Sequence, residues 1–270
     1  MAGPIRIDDP SDPRLEAYRA VRERDLGGRG GGFIAEGVVV LEKLLSAGRH
    51  PLGSVLVAER RLAALAPLLE RVPPEAPIYA AGQAVMDQLV GFHIHRGVLA
   101  AGRRAEPSAQ ALIESLPREA LVVGLVGIAN HDNMGGLFRN AAAFGAAAVL
   151  VDEASCDPLY RKAIRVSVGA ALTTPFARGG PAQGLCDLLA AAGFRLLALS
   201  PGGKSELADT ARTPRTAALF GAEGPGLPRA VLDRAETVRI AMAGGFDSLN
   251  VATAAGIVLH HLAAARGRSG

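Results

Sequence analysis

Residues 240–262 read IAMAGGFDSLNVATAAGIVLHHL. The run that leads into them, Thr237-Val238-Arg239-Ile240-Ala241-Met242, alternates as a strand does and predicts one ending at Met242. Gly244-Gly245 then break the strand, because glycine reaches backbone conformations that other residues avoid. Asp247 or Ser248 offers a side-chain oxygen to cap a helix starting at Leu249. That helix carries no charge before Arg266 and is dense in Ala, Gly and Thr. A helix that is apolar all round is expected to be buried all round. It is read either as a core helix or half of a dimer interface, or as a lock on a ligand loop at Gly244 to Asn250. A membrane span fits less well, since the uncharged run barely reaches spanning length and contains Asn250, Thr253, His260 and His261.

Upstream, strands and helices alternate. Leu121 opens LVVGLVGI, a continuous apolar run typical of a strand buried on both faces of a parallel sheet. Helices are expected over Asn133 to Phe144, Tyr160 to Val168 and Leu185 to Ala192. Strands are expected over Ala148 to Asp152, Arg195 to Ser200, Ala217 to Gly221 and Val238 to Met242. The alternation predicts an α/β fold with a mainly parallel, doubly wound sheet, whose ligands bind beyond the carboxyl ends of the strands. The loops at those ends are IANHDNMGG, SPGGKSE, GAEGPGLP and AGGFDSLN. The last three are candidates for one shared pocket.

A smaller α/β unit precedes this one. Residues 1–12 read as a flexible lead-in. Asp12 caps a helix with Pro13 in its first turn, running through Leu15, Tyr18, Ala20 and Val21. The glycine run from Gly27 to Gly32 lacks the Gly-Lys-Ser/Thr ending of a P-loop and reads as a linker or an RNA-touching loop. Strands at Phe33 to Glu36, Ser54 to Ala58, Ile78 to Ala80 and Gly97 to Ala101 alternate with helices at Val38 to Ala47, Arg60 to Glu70 and Gln83 to Val90. The expected domains are 1–102, a linker at 103–118 that ends in a short helix, and 119–270.

Composition narrows the classes. A chain of 270 residues, 49% hydrophobic, supports two domains with a sizeable core. Lys43, Lys162 and Lys204 are the only lysines, so the basic side chains are almost all Arg, which suits bidentate phosphate contact. Arg22, Arg24, Arg29 and Arg161 are candidate phosphate contacts. Cys156 and Cys186 have neither CxxC spacing nor a disulfide framework, and His93 and His95 form a lone HxH. The opening MAGPIRIDDPSDPRL has no apolar run that could serve as a signal peptide, so a cytoplasmic protein is expected.

No G-x-G-x-x-G follows the first strand of the larger unit and no Ser-His-Asp elbow is present, which leaves a dinucleotide site and a serine hydrolase unsupported. Three segments stand out instead. They are Asn130-His131-Asp132-Asn133-Met134-Gly135-Gly136-Leu137-Phe138-Arg139-Asn140, then Leu219-Phe220-Gly221-Ala222-Glu223-Gly224-Pro225-Gly226-Leu227, then Ile240-Ala241-Met242 with Ser248-Leu249-Asn250-Val251. In order, spacing and residue types these resemble the three signature motifs of the SpoU-type (TrmH-like) RNA 2′-O-ribose methyltransferases of the SPOUT superfamily. Tyr160 to Ala170 fits the same family between its first two motifs, and Phe33-Ile34-Ala35-Glu36-Gly37 resembles the start of its small RNA-binding domain. The chain departs from the usual pattern at His131-Asp132 and at Ala222, where the family often has Asn.

The resemblance implies a deep trefoil knot, with the last strand, loop and helix threaded through it to form the cofactor pocket and much of a homodimer interface. It implies S-adenosyl-L-methionine as cofactor, held by backbone at Gly221, Ile240 and Leu249, with Leu199, Glu223, Gly224, Met242 and Ser248 on the same walls. It implies catalytic roles for Arg139, Asn133, Glu223, Ser248 and Asn250, with no metal, because a sulfonium donor loses its charge as it reacts. A guanidinium is a poor base that normally keeps its proton, so Arg139 is expected to anchor a target phosphate rather than act as a base. The expected substrate is RNA, with ribosomal favoured over transfer RNA. Methylation of a base nitrogen on the same scaffold, or a non-catalytic RNA-binding knot protein, are the alternatives.

Overall fold

The computed structural model describes residues 3–19, 31–90, 96–244 and 248–264. The chain forms two compact units, one of Met1–Ala105 with Leu159–Thr173, the other of Glu106–Pro158 with Thr174–Gly270.

The first unit contains β1 (Ile5–Ile7), β2 (Gly32–Glu36), α1 (Val38–Ala47), β3 (Leu52–Ala58), α2 (Leu62–Leu69), β4 (Ile78–Ala81), α3 (Gln83–Val90) and β5 (Val98–Arg103). The five strands lie in the order β1-β4-β3-β5-β2. β4 pairs in parallel with β1 and β3, while β5 runs antiparallel to β3 and β2. The expected flexible lead-in is thus partly wrong, because Ile5–Ile7 is an edge strand paired with β4 and Ile7 is buried. The expected helix from Pro13 is a 3-10 helix, Pro13–Tyr18, with Asp12 capping it through Arg14 N. Tyr18 anchors it, its buried hydroxyl 2.7 Å from Ser54 Oγ.

The second unit begins with α4 (Ala109–Glu114), β6 (Ala120–Val126), α5 (His131–Ala143) and β7 (Ala148–Val151). The chain then returns to the first unit as α6 (Arg161–Val166) and α7 (Ala170–Thr173). It completes the second unit with β8 (Phe176–Arg178), α8 (Ala182–Ala191), β9 (Arg195–Leu199), β10 (Ser205–Glu206), β11 (Arg215–Gly221), α9 (Arg229–Leu232), β12 (Glu236–Arg239) and α10 (Val251–Ala264).

These seven strands form one sheet, β10-β12-β9-β11-β6-β7-β8, parallel at every pairing. Every residue of β6, ALVVGLV, is buried, as an interior parallel strand with both faces covered requires. The register sets Val126 of β6 opposite Gly221 of β11, and Leu199 of β9 opposite Val238 of β12. The loops that leave these strands therefore emerge at one edge of the sheet. Strands β8 and β10 were not expected. They have only three and two residues, too short for an alternating pattern to show.

Two domain expectations need correction. Residues 103–118 hold the expected short helix, α4, but they divide between the units: Arg103 ends β5, and Ala109, Leu112 and Ile113 of α4 pack into the apolar core of the second unit. Residues 159–173 belong with the first unit, where α6 packs on β2 and α7 on α1. The Arg161 guanidinium, expected to meet phosphate, is instead 2.8 Å from Glu36 on β2, with both side chains largely buried. Arg22, Arg24, Arg29, His93, His95, Gly245 and Asp247 lie outside the described residues, as does most of the glycine run.

Candidate functional site

Three loops at the carboxyl edge of the seven-stranded sheet enclose a cavity of about 460 Å³. Leu199, Ser200 and Pro201 come from the end of β9, Phe220 to Gly224 and Gly226 from the end of β11, and Val238, Ile240, Met242 and Ser248 to Val251 from the end of β12 and the start of α10. All eight residues expected to hold the cofactor are on this wall: Leu199, Gly221, Glu223, Gly224, Ile240, Met242, Ser248 and Leu249. The lining is mostly apolar with backbone polar groups at strand ends, the character of a small-molecule site of this size.

The β11 loop is shaped by its own backbone. Gly226 N donates to Ala222 O at 3.0 Å, and the two residues form an isolated antiparallel bridge. Gly224 at the tip has φ +84°, open to glycine and strained for other residues. At Gly221 a Cβ would stand 2.3 Å from the backbone carbon of Gly226, so only glycine lets the loop close on the strand.

Asn250 joins all three motifs. Its Oδ1 accepts from Ala252 N at 3.0 Å and Thr253 N at 3.2 Å, which makes it the N-cap of α10. The cap expected at Asp247 or Ser248 is thus displaced to Asn250. The strand stops at Arg239 rather than Met242, and the helix begins at Val251 rather than Leu249. With Oδ1 committed to the helix, Nδ2 faces outward. It donates to Asn133 Oδ1 and to Glu223 Oε1, each at 2.8 Å. One amide therefore ties the start of α5, the β11 loop and α10 together.

Helices α5 and α10 pack closely along a stripe. A Cβ on Gly136 would lie 2.7 Å from Ala252 Cβ, Asn140 Nδ2 donates to Ala252 O at 2.6 Å, and Phe144 meets His260 edge-on. Asn130 caps α5 by accepting from Asp132 N and Asn133 N, and Asn133 is buried. Arg139 lies one residue off the stripe. It is exposed, it does not line the cavity, and among the described residues it has no ion-pair partner. Helix α10 is not buried all round in the single chain. Val251, Ala255, Val258, Leu259 and Leu262 are buried, whereas Thr253 and His260 are exposed and Ile257 is 41% exposed.

Sequence reading missed several supporting residues. Asp152, buried after β7, accepts from Gly127 N at 3.0 Å and from Ser155 N and Oγ at 2.9 and 2.6 Å, while Ser155 Oγ accepts from Ile128 N. This network fixes the loop between β6 and α5. Its one sequence signal is an Asp at a strand end with Ser three residues later. Arg239 was also missed, and only strand pairing reveals its role. Nearby, burial and then the Asp157 charge push the Cys156 thiol up to about 11, which keeps it protonated near neutral pH and unsuited to nucleophilic work. Among the described residues no group of three or more His, Cys, Asp or Glu could hold a metal ion, and no helix is long and apolar enough to cross a membrane.

Comparison with known proteins places this site in a family. Residues 120–260, more than half of the chain, match the model of the SpoU rRNA Methylase family. A Mycobacterium tuberculosis protein described as an uncharacterized tRNA/rRNA methyltransferase is 42% identical, over 98% of this chain and 92% of its own length. The SpoU methyltransferase AviRb of Streptomyces viridochromogenes, solved in complex with the cofactor AdoMet, is 26% identical, with a TM-score of 0.81 over 96% of this chain and 99% of its own. A crystal structure of an RNA 2′-O ribose methyltransferase is 27% identical, with a TM-score of 0.78 over 97% of this chain and 99% of its own. The three motifs that Asn250 ties together lie inside the matched span, and the likeness runs along nearly the whole chain. The chain belongs to the SpoU rRNA methylase family of RNA methyltransferases.

Proposed function

We propose that this chain transfers a methyl group from S-adenosyl-L-methionine to a ribose 2′-hydroxyl of RNA, ribosomal RNA before transfer RNA. The observation that carries the reading is the Asn250 amide, which holds Asn133, Glu223 and the α10 N-terminus in one hydrogen-bonded node beside the cavity. The residues present fit the cofactor. Apolar side chains of Leu199, Phe220, Val238, Ile240, Met242 and Leu249 line a space of suitable size, and the glycine-containing strand ends offer backbone groups to read an adenine edge. When bound, S-adenosylmethionine supplies an electrophilic methyl group on a sulfonium.

The protein's part is chiefly positioning. Arg139, exposed on α5, anchors the target phosphate and orients the ribose hydroxyl, whose proton leaves to a phosphate oxygen or to water. Asn133 and Asn250 keep the first and third motifs in register, and Glu223 and Ser248 border the cavity on opposite loops. The first unit is assigned to RNA binding. The exposed Leu249 and Ile257, each 41% accessible, support a homodimer formed through α10, and the last strand, loop and helix are assigned to a trefoil knot. A cytoplasmic enzyme follows from this substrate.

The test is methylation with tritiated cofactor, offering total ribosomal RNA and total transfer RNA that lack the modification, with wild type and Arg139→Ala side by side. Label in one pool that disappears with Arg139→Ala supports the reading. Cofactor binding with no label in either pool would favour a non-catalytic RNA-binding protein.

A further inference from the structure

The loop after β9 is a wall of the cavity that leans on a neighbouring strand, β12. Leu199, Ser200 and Pro201 face the cavity, and the chain then turns at Gly202-Gly203 into the two-residue edge strand β10. Within the loop Gly203 N donates to Ser200 O at 3.0 Å, and further bonds run to β12. Ser200 N donates to Val238 O at 3.0 Å, Lys204 N to Thr237 Oγ1 at 3.2 Å, and β10 pairs with Val238 and Arg239. Gly203 lies so close to β12 that a Cβ would stand 2.4 Å from the backbone carbon of Val238.

Arg239 closes this arrangement from the side. Its Nη1 donates to Gly203 O at 2.8 Å, and its Nη2 meets Glu206 Oε1 at 2.8 Å. The planar guanidinium thus spans the turn, with one nitrogen on a main-chain carbonyl and the other on a carboxylate. Arg239 is also the last residue of β12, directly before Ile240 on the opposite wall. Beside those backbone bonds, this one side chain braces the loop that carries Ser200 and Pro201 against the strand that leads into Ile240 and Met242.

We propose that Arg239 is a positioning residue for the cofactor, clamping the 200–206 turn against β12 so that the β9 wall of the cavity is formed before S-adenosylmethionine arrives. The proposal rests on the cofactor reading above. Both partners of the ion pair are about 40% accessible, so the pair adds little to global stability and acts locally. A preformed wall spares the ordering that binding would otherwise require.

The test is calorimetric titration of the full-length chain with S-adenosylmethionine, comparing wild type, Arg239→Ala and Arg239→Lys, beside thermal melts without ligand. Arg239→Ala is expected to weaken binding roughly tenfold, with the ligand-free melting temperature within about 2 °C of wild type. Arg239→Lys is expected to recover part of the loss, since an ammonium reaches the Gly203 carbonyl without spanning to Glu206. The KM for S-adenosylmethionine should rise in step with the binding loss, while the KM for RNA stays put. Unchanged affinity in Arg239→Ala, or weakened affinity with a matching fall in melting temperature and no recovery in Arg239→Lys, would overturn the clamp. No binding by the wild type would overturn the cofactor reading and the clamp with it.

Discussion

Two loops that wall the same cavity differ in how much they take from their neighbours. The Gly221 to Gly226 loop folds on itself, through its own backbone bridge and glycines that alone permit the close turn. The 200–206 loop adds to its own Gly203–Ser200 bond the support of a neighbouring strand, through backbone bonds to β12 and the Arg239 side chain. A self-held loop is rigid at the cost of tolerating few residues. A loop braced from outside can have its rigidity tuned from a distance.

The largest effect should therefore follow a change inside the self-held loop. Gly221→Ala places a Cβ against backbone with no flexible atom to yield, so cofactor affinity should fall about a hundredfold, roughly 2.7 kcal/mol, in calorimetry. A loss as mild as that expected for Arg239→Ala would erase the contrast between the loops.

Asn250, which ties the self-held loop to α5 and α10, comes next. Asn250→Ala removes a helix cap and leaves the buried Asn133 oxygen without its donor, a loss of about 2 kcal/mol in denaturant unfolding. Asn250→Asp separates the two roles. It keeps the cap, so it should retain more stability than Ala, yet it sets a carboxylate against Glu223 and should weaken cofactor binding more.

A smaller effect, set by pH, is expected outside both loops. His50 in the first unit is buried edge-on against Phe33, with Nδ1 accepting from Ala105 N. Burial, then the charges of Arg49 and Arg104, lower its pKa to about 4 from the ordinary 6.5. The unfolded chain binds a proton that the folded chain refuses between those values, so this contribution is complete above about pH 6.5 and is lost as pH falls towards 4. His50→Gln should flatten the fall in melting temperature across that window. The smallest effect is expected at Arg229, whose bond to Asp233 is an exposed i,i+4 pair. Arg229→Ala should change stability by no more than about 0.5 kcal/mol.

The same contrast explains what sequence could reveal. Glycine at 221, 224 and 226 is a local signal, so the β11 loop and its wall were readable from the residues alone. Buried strands such as β6 were equally plain, because each residue of ALVVGLV reports the same two-sided burial. Features made by distant partners were not readable. By sequence Asn250 is a loop residue like Ser248, and only its two backbone donors and the positions of Asn133 and Glu223 set it apart. Arg239 looked like an ordinary charged residue in a strand because β10, its neighbour, has only two residues. Arg161 looked like a phosphate ligand because nothing local shows that residues 159–173 pack on β2, where Glu36 takes the charge.

The central claim is that the methyl group goes to a ribose hydroxyl, and alkaline hydrolysis tests it most directly. RNA labelled by the wild-type enzyme with tritiated S-adenosylmethionine would be digested to completion in base and separated by size. A ribose methylated at its 2′-oxygen cannot assist cleavage of its own phosphodiester, so the account predicts label in alkali-resistant dinucleotides. Label recovered in mononucleotides would place the methyl group on a base and contradict it.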